Sequence, residues 1–196
     1  PPISWETPPA TFSWQSIVVD TGINCQPNTV AYVNHYYIQQ NGQEAYLISN
    51  KVKLGAGTGA QNWLTYDYAY SGYAAGYDDG LRIDISTDCG STWDSIYGAI
   101  GPDLQTTAYL GSAWYPTCGS WATDSINLSN WGLNGDTIMV RFVAINDYGN
   151  RFFMDNVNIN GQNIIIGLED ELTDFHTLIY PNPTKGMFSI RTNVAD

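Results

Sequence analysis

From residue 29 onward, apolar and polar positions alternate in short runs. "TVAYVNHYYI" (29–38), "EAYLIS" (44–49), "NWLTYDYAY" (62–70), "LRIDIS" (81–86), "WDSIYGAI" (93–100), "DSINLS" (124–129), "DTIMVRFVAIN" (136–146) and "RFFMDNVNI" (151–159) either alternate with period two or form a dense apolar run. These are the patterns of half-buried and fully buried strands. Between them lie the turn formers "NGQ" (41–43), "GAGTGAQ" (55–61), "YDDG" (77–80), "DCGST" (88–92), "LNGD" (133–136) and "DYGN" (147–150), rich in the Gly, Asn and Asp that turns require. No stretch sustains a 3.6-residue period. An all-β chain of eight strands joined by loops of this size predicts a two-sheet antiparallel jelly-roll sandwich.

One strand has a fault in its pattern. Laid out with period two, Phe153, Asp155, Val157 and Ile159 share a face, which places a carboxylate among core residues. A buried charge without a partner costs several kcal/mol, so something must neutralise Asp155. One candidate is a base, Arg82, Arg141 or Arg151, in a buried ion pair. The other is a hard cation. Asn34 shares a face with Tyr32 and Tyr36, and Glu44 shares one with Tyr46 and Ile48. Oxygen ligands that break apolar faces in this way could converge on Ca²⁺, which takes about six to eight oxygens. The expected metal-side residues are Asp155, Asn156, Asn34 and Glu44. Asp78 and Asp79 of "YDDG" are a further candidate pair, read equally well as a plain turn.

After Ile159 the character changes. Residues 1–161 form the sandwich module, 162–178 read as an acidic linker around Glu169, Asp170, Glu171 and Asp174, and 179–196 begin a second β module. In "IYPNPTKGMFSI" a strand start, a Pro-Asn-Pro turn and a Gly precede another strand. This stretch resembles the opening of the type A C-terminal sorting domain that Bacteroidetes append to cargo of the type IX secretion system, with Tyr180, Pro181, Asn182, Pro183, Gly186 and Phe188 matching. Only the first strand or so of that small β-sandwich is present. The resemblance implies export to the cell surface or the medium, with the secretion machinery as a partner through this segment.

A second resemblance spans residues 3 to 160. "ISWET", "AYVNHYYIQQNGQEAYLIS", "YDYAYSGYAAGYDDGLRIDISTDCGSTWDSIY", "WATDSINLS" and "IMVRFVAINDYGNRFFMDNVNI" follow one another in an order similar to MAM-like or cleaved-adhesin-like jelly-roll modules. That family implies a galactose-binding-like sandwich, structural calcium in several relatives, and a place beside a catalytic domain in larger secreted proteins. Its usual opening strand, an acidic stretch before a "GW" turn, is missing ahead of Ile3.

Charge narrows the partners. The 196 residues carry 7 Lys and Arg against 19 Asp and Glu, a net charge of -12, which repels phosphate backbones and makes nucleic acid an unexpected partner. No apolar run is long enough for a membrane-spanning helix. The chain opens on Pro1 with no signal peptide, as expected of a mature protein or a fragment. Of three cysteines, Cys89 in "TDCGSTW" and Cys118 in "PTCGSW" sit in similar Cys-Gly-Ser turns and are the expected disulfide in an oxidising compartment, the alternative being three free or buried thiols.

Catalysis finds little support. His35 and His176 are the only histidines, and no zinc-peptidase, nucleophile-elbow or Cys-x-x-Cys motif occurs. Aromatic residues are more suggestive. Trp63, Tyr66, Tyr68, Tyr70, Tyr73 and Tyr77 crowd one segment, and Trp93, Trp114, Trp121 and Trp131 punctuate the second half. Aromatic faces stack on sugars and on protein side chains, or fill a core. Trp63 and Trp114 are the candidate stacking residues. The expectation is a non-catalytic, calcium-stabilised, secreted or cell-surface binding and adhesion module. Alternatives are an accessory domain of a secreted hydrolase such as a metallopeptidase, and a carbohydrate-binding module.

Overall fold

The computed structural model describes residues 12–36, 38–57, 60, 62–159, 162–163, 177–180 and 189–192, the last three segments as backbone. Its strands are β1 (Trp14–Val19), β2 (Asn28–Asn34), β3 (Glu44–Ile48), β4 (Val52–Lys53), β5 (Trp63–Tyr70), β6 (Gly80–Ser86), β7 (Asp94–Ile100), β8 (Ala122–Asn127), β9 (Thr137–Ile145), β10 (Arg151–Ile159), β11 (Gln162–Asn163), β12 (Thr177–Tyr180) and β13 (Ser189–Thr192). A six-stranded sheet runs β1-β2-β10-β5-β8 with β11 on β10, and a five-stranded sheet runs β3-β9-β6-β7 with β4 on β9. All of these strand pairs are antiparallel. The architecture is the expected all-β jelly-roll sandwich.

The core lies between the two sheets. Alternation sends Leu64, Tyr66 and Tyr70 of β5, Phe142 and Val140 of β9, and Phe152 and Met154 of β10 into it, with Trp14, Val33, Leu47 and Ile83. A smaller cluster of Val19, Val30, Ala69, Trp114 and Phe153 sits on the opposite, outer face of the six-stranded sheet.

The fault in β10 is a bulge. Asp155 pairs with Asp67 and Asn158 with Thr65, so β10 holds one residue more than β5 across this step, and Asn156 takes up the difference at φ 50°. An inserted residue reverses the phase of the alternation. Phe153 therefore faces outward, while Val157 and Ile159 join Phe152 and Met154 in the main core. The single stripe expected from period two does not exist. Asp155 lies on the outer face, half-buried, not among the core residues.

The expected disulfide is corrected. Cys25 bonds Cys118 across 93 residues, with Cα atoms 4.8 Å apart, and Cys89 is free and exposed. Cys89 sits in the turn from β6 to β7 of the five-stranded sheet, whereas Cys118 lies in the segment leading into β8 of the other sheet. Similar local turns brought them together on paper, but the topology keeps them apart. Strand β1 was not anticipated, because "WQSIVV" shows a burial order of neither simple type. Toward the C-terminus β12 pairs with β13, Tyr180 opposite Ser189. The motif positions Pro181, Asn182, Pro183 and Gly186, and nearly all of the acidic linker, lie outside the described residues.

Candidate functional site

Four loops leave one end of the sandwich. Asn34 at the end of β2 pairs with Arg151 at the start of β10, Tyr70 at the end of β5 pairs with Phe152, and Ile145 at the end of β9 pairs with both Glu44 and Gly80. Loops 35–43, 71–79, 101–121 and 146–150 therefore meet there. Asp79, 0% exposed, fastens them. Its Oδ1 accepts from the backbone N–H of Asp147 at 2.8 Å and Gly149 at 3.0 Å, and its Oδ2 from the Asn150 N–H at 2.9 Å and the Tyr70 hydroxyl at 2.9 Å. Four donors make a buried carboxylate affordable. A Cβ at Gly149 would overlap this carboxylate, so the close approach requires glycine. His35 Nδ1 lies 3.4 Å from Asp79 Oδ1. Burial pushes the His35 pKa down, against the pull of the Asp79 charge, and the imidazole serves as packing against Phe12.

Two asparagines extend the fastening. The Asn146 amide donates to the carbonyls of Ile38 at 3.0 Å and Gln40 at 2.9 Å. The Asn150 amide donates to Leu110 at 3.0 Å and Ser112 at 2.9 Å, and its oxygen accepts from the Trp114 N–H at 3.1 Å. The β9–β10 turn thus holds the other loops by their backbones.

On this base stands a chain of tyrosines. Tyr36 meets Tyr73 with ring centroids 5.9 Å apart, Tyr73 meets Tyr77 at 5.3 Å, and Tyr77 meets Tyr148 at 5.9 Å. They come from three different loops. Tyr77 and Tyr109 are exposed, and the rest are half-buried. Such rings, with polar tips and rigid flat faces, suit sugars and protein side chains.

The segment 105–121 continues from this end as a strap across the outer face of the six-stranded sheet. Asn150 fixes it at the loop end. At the far end the Cys25–Cys118 bond and the Thr21 hydroxyl, which donates to the Pro116 carbonyl at 2.7 Å, tie it to the β1–β2 turn. Its own Trp114 and Tyr115 pack on Phe153 of the sheet, and the Arg151 guanidinium lies 4.3 Å from the Tyr115 ring centre.

The expected metal-side residues are not brought together. Glu44 lies on the outer face of the five-stranded sheet, paired with Arg82 at 2.8 Å, and this guanidinium holds its carboxyl below the usual range. Arg82 and Arg141 flank Asp84 at 3.0 and 2.6 Å, and Arg141 also lies over the rings of Tyr46 and Trp93. Asn34 is on the outer face of the other sheet, opposite Arg151 and four residues along β10 from Asp155, about 13 Å at strand rise. Metal–oxygen bonds of about 2.3–2.6 Å cannot span this. Asp155 instead accepts from the Asn28 amide at 2.5 Å and lies beside Asp67, which accepts from the Asn156 amide at 2.6 Å. Burial, with the neighbouring Asp67 charge, pushes the Asp155 pKa up, against a hydrogen bond from the Asn156 N–H. Among the described residues no group of three or more His, Cys, Asp or Glu is placed to hold a metal. Of the stacking candidates, Trp114 is buried and Trp63 is exposed at the end of the sandwich opposite the tyrosines.

Asp79 was in view as half of a turn motif, but nothing in "YDDG" marks one carboxylate as a buried hub. Tyr73 and Tyr77 were visible as part of the aromatic crowd. Tyr36 and Tyr148 were not, since only the topology joins them.

No protein-family model matches the sequence, and no curated protein does. Solved structures share the fold. The K1 cleaved adhesin domain of Lys-gingipain from Porphyromonas gingivalis W83 is 15% identical, with a TM-score of 0.54 over 79% of this chain and 87% of that one. The K2 cleaved adhesin domain of Lys-gingipain is 14% identical, with a TM-score of 0.49 over 78% and 85%. A carbohydrate-binding module, TmCBM61, solved with β-1,4-galactotriose, is 14% identical with a TM-score of 0.39 over 74% and 86%. At these identities the similarity to the K1 domain establishes a shared jelly-roll fold.

Proposed function

We propose that this chain is a non-catalytic binding and adhesion module of a secreted or cell-surface protein, and that it engages glycans through the tyrosine-lined loop end. The observation that carries this reading is the chain of Tyr36, Tyr73, Tyr77 and Tyr148, mounted on the Asp79 hub. A binding surface gains from rings already held in place, because little freedom remains to be lost on association. The fold shared with a cleaved adhesin domain supports the adhesive part. On a glycan array, wild-type protein should retain a set of glycans that the double variant Tyr73→Ala, Tyr77→Ala does not. Retention of the same glycans by both would move the site elsewhere, and no retention at all would end the glycan reading.

Export by the type IX route belongs to the same proposal and rests on the resemblance at Tyr180, Pro181, Asn182, Pro183 and Gly186. Deleting residues 179–196 from the full-length protein should keep it inside the cell envelope. A structural calcium ion belongs to the same proposal and rests on the family resemblance; the paired carboxylates of Asp67 and Asp155 would hold it, once released from the Asn28 and Asn156 amide N–H groups and the Thr123 hydroxyl that donate to them. Millimolar Ca²⁺ should then raise the melting temperature above that in EDTA, since a ligand of the native state alone stabilises it. Equal melting would remove calcium from the account. A second reading, an accessory domain of a larger secreted hydrolase, draws on the K1 neighbour being one domain of Lys-gingipain. A zinc-peptidase motif elsewhere in the full gene would support it.

A further inference from the structure

Arg151 is 9% exposed, and its Nε and Nη1 are buried without a hydrogen-bond partner. Among the described residues no carboxylate pairs with it; the guanidinium lies 4.3 Å from the centre of the Tyr115 ring. The other two arginines of the sandwich are each held by acidic groups. A desolvated cation is costly, and contact with an aromatic face recovers only part of that cost. Opposite it on β2 stands Asn34, whose side-chain oxygen is also buried and unpartnered.

We propose that Arg151, Asn34 and Tyr115 form a pocket for the single carboxylate of an acidic sugar, a sialic or hexuronic acid at the end of a glycan. This rests on the glycan-binding reading and adds the class of sugar. Three observations select it. Guanidinium donors match a carboxylate, and a sugar hydroxyl can donate to the Asn34 oxygen. Tyr115 is 49% exposed, so its ring can turn aside to admit the carboxylate and then stack on the pyranose face. The net charge of -12 opposes polyanions, which leaves a ligand with one acidic group among neutral hydroxyls.

Binding of the full chain to 3′-sialyllactose, to the disaccharide glucuronosyl-galactose, which carries one carboxylate, and to lactose, followed by calorimetry, tests this. At least one acidic sugar should bind about tenfold to a hundredfold more tightly than lactose, the worth of a hydrogen bond to a charged group, and the one preferred tells sialic from hexuronic acid. Converting the preferred ligand's carboxylate to its methyl ester should reduce it to the level of lactose, a control that leaves the protein untouched. Arg151→Met should abolish the preference while sparing the neutral sugar, and Tyr115→Ala should weaken the acidic ligand several-fold. An ester that binds as well as the acid overturns the proposal. So does lactose binding that Tyr73→Ala removes without any preference for acid, which leaves the glycan reading standing. If no sugar binds, both fall.

Discussion

Replacing Asp79 by alanine leaves three backbone N–H groups and the Tyr70 hydroxyl without their acceptor. Unsatisfied buried donors are far more expensive than the net worth of the bonds they made. Asp79→Ala should therefore lower unfolding free energy by at least about 3 kcal/mol, read from the urea midpoint at unchanged m. Asp155 should behave oppositely. Its folded pKa is raised, so the native state holds the proton more tightly than the unfolded chain. Stability attributable to this group then falls as pH rises from the ordinary carboxylate range through the folded pKa, and the penalty is complete above it. In EDTA at pH 7, Asp155→Asn should melt higher than wild type, and the gap should close below about pH 3.8. A variant that melts lower at pH 7 would mean that the Asn28 hydrogen bond outweighs the Asp67 repulsion.

At the scale of elements, alternation is what carries Ile138, Val140 and Phe142 of β9 and Leu64, Tyr66 and Tyr70 of β5 into the core. The same rule failed in β10 because it assumes an unbroken register. A single residue in the left-handed region, Asn156, shifts everything after it to the other face, and asparagine tolerates that conformation without announcing it. The metal set failed for a related reason. Each of Asn34, Glu44 and Asp155 does break an apolar pattern, but alternation says only that a residue leaves a face. Which sheet that face belongs to depends on strand order, which no local pattern contains. Asn156→Val should cost about 1–2 kcal/mol for the left-handed backbone, whereas Asn156→Gly should restore most of that stability. The strap makes a separate prediction. Cys25→Ser removes a bond closing 93 residues and should cost about 2–4 kcal/mol, while Cys89→Ser should cost nothing measurable. Alkylation of native protein, read by mass, should find one reactive thiol.

The whole molecule adds a field that opposes its own anion pocket. With 7 basic against 19 acidic residues, an acidic glycan approaches against long-range repulsion. The contact at Arg151, once made, is short and sheltered from solvent. Salt acts on these two unequally: beyond a Debye length of about 10 Å at 0.1 M the repulsion is screened, whereas a buried contact is screened much less. Affinity for the preferred acidic sugar should therefore hold steady or rise as NaCl goes from about 0.01 M to about 0.5 M. Binding to an anion through exposed lysines would do the reverse and weaken steeply with salt. Calorimetric titration across that range decides between them, and an affinity that falls with salt would assign the anion to the surface cations Lys51 and Lys53 and take it away from the covered guanidinium.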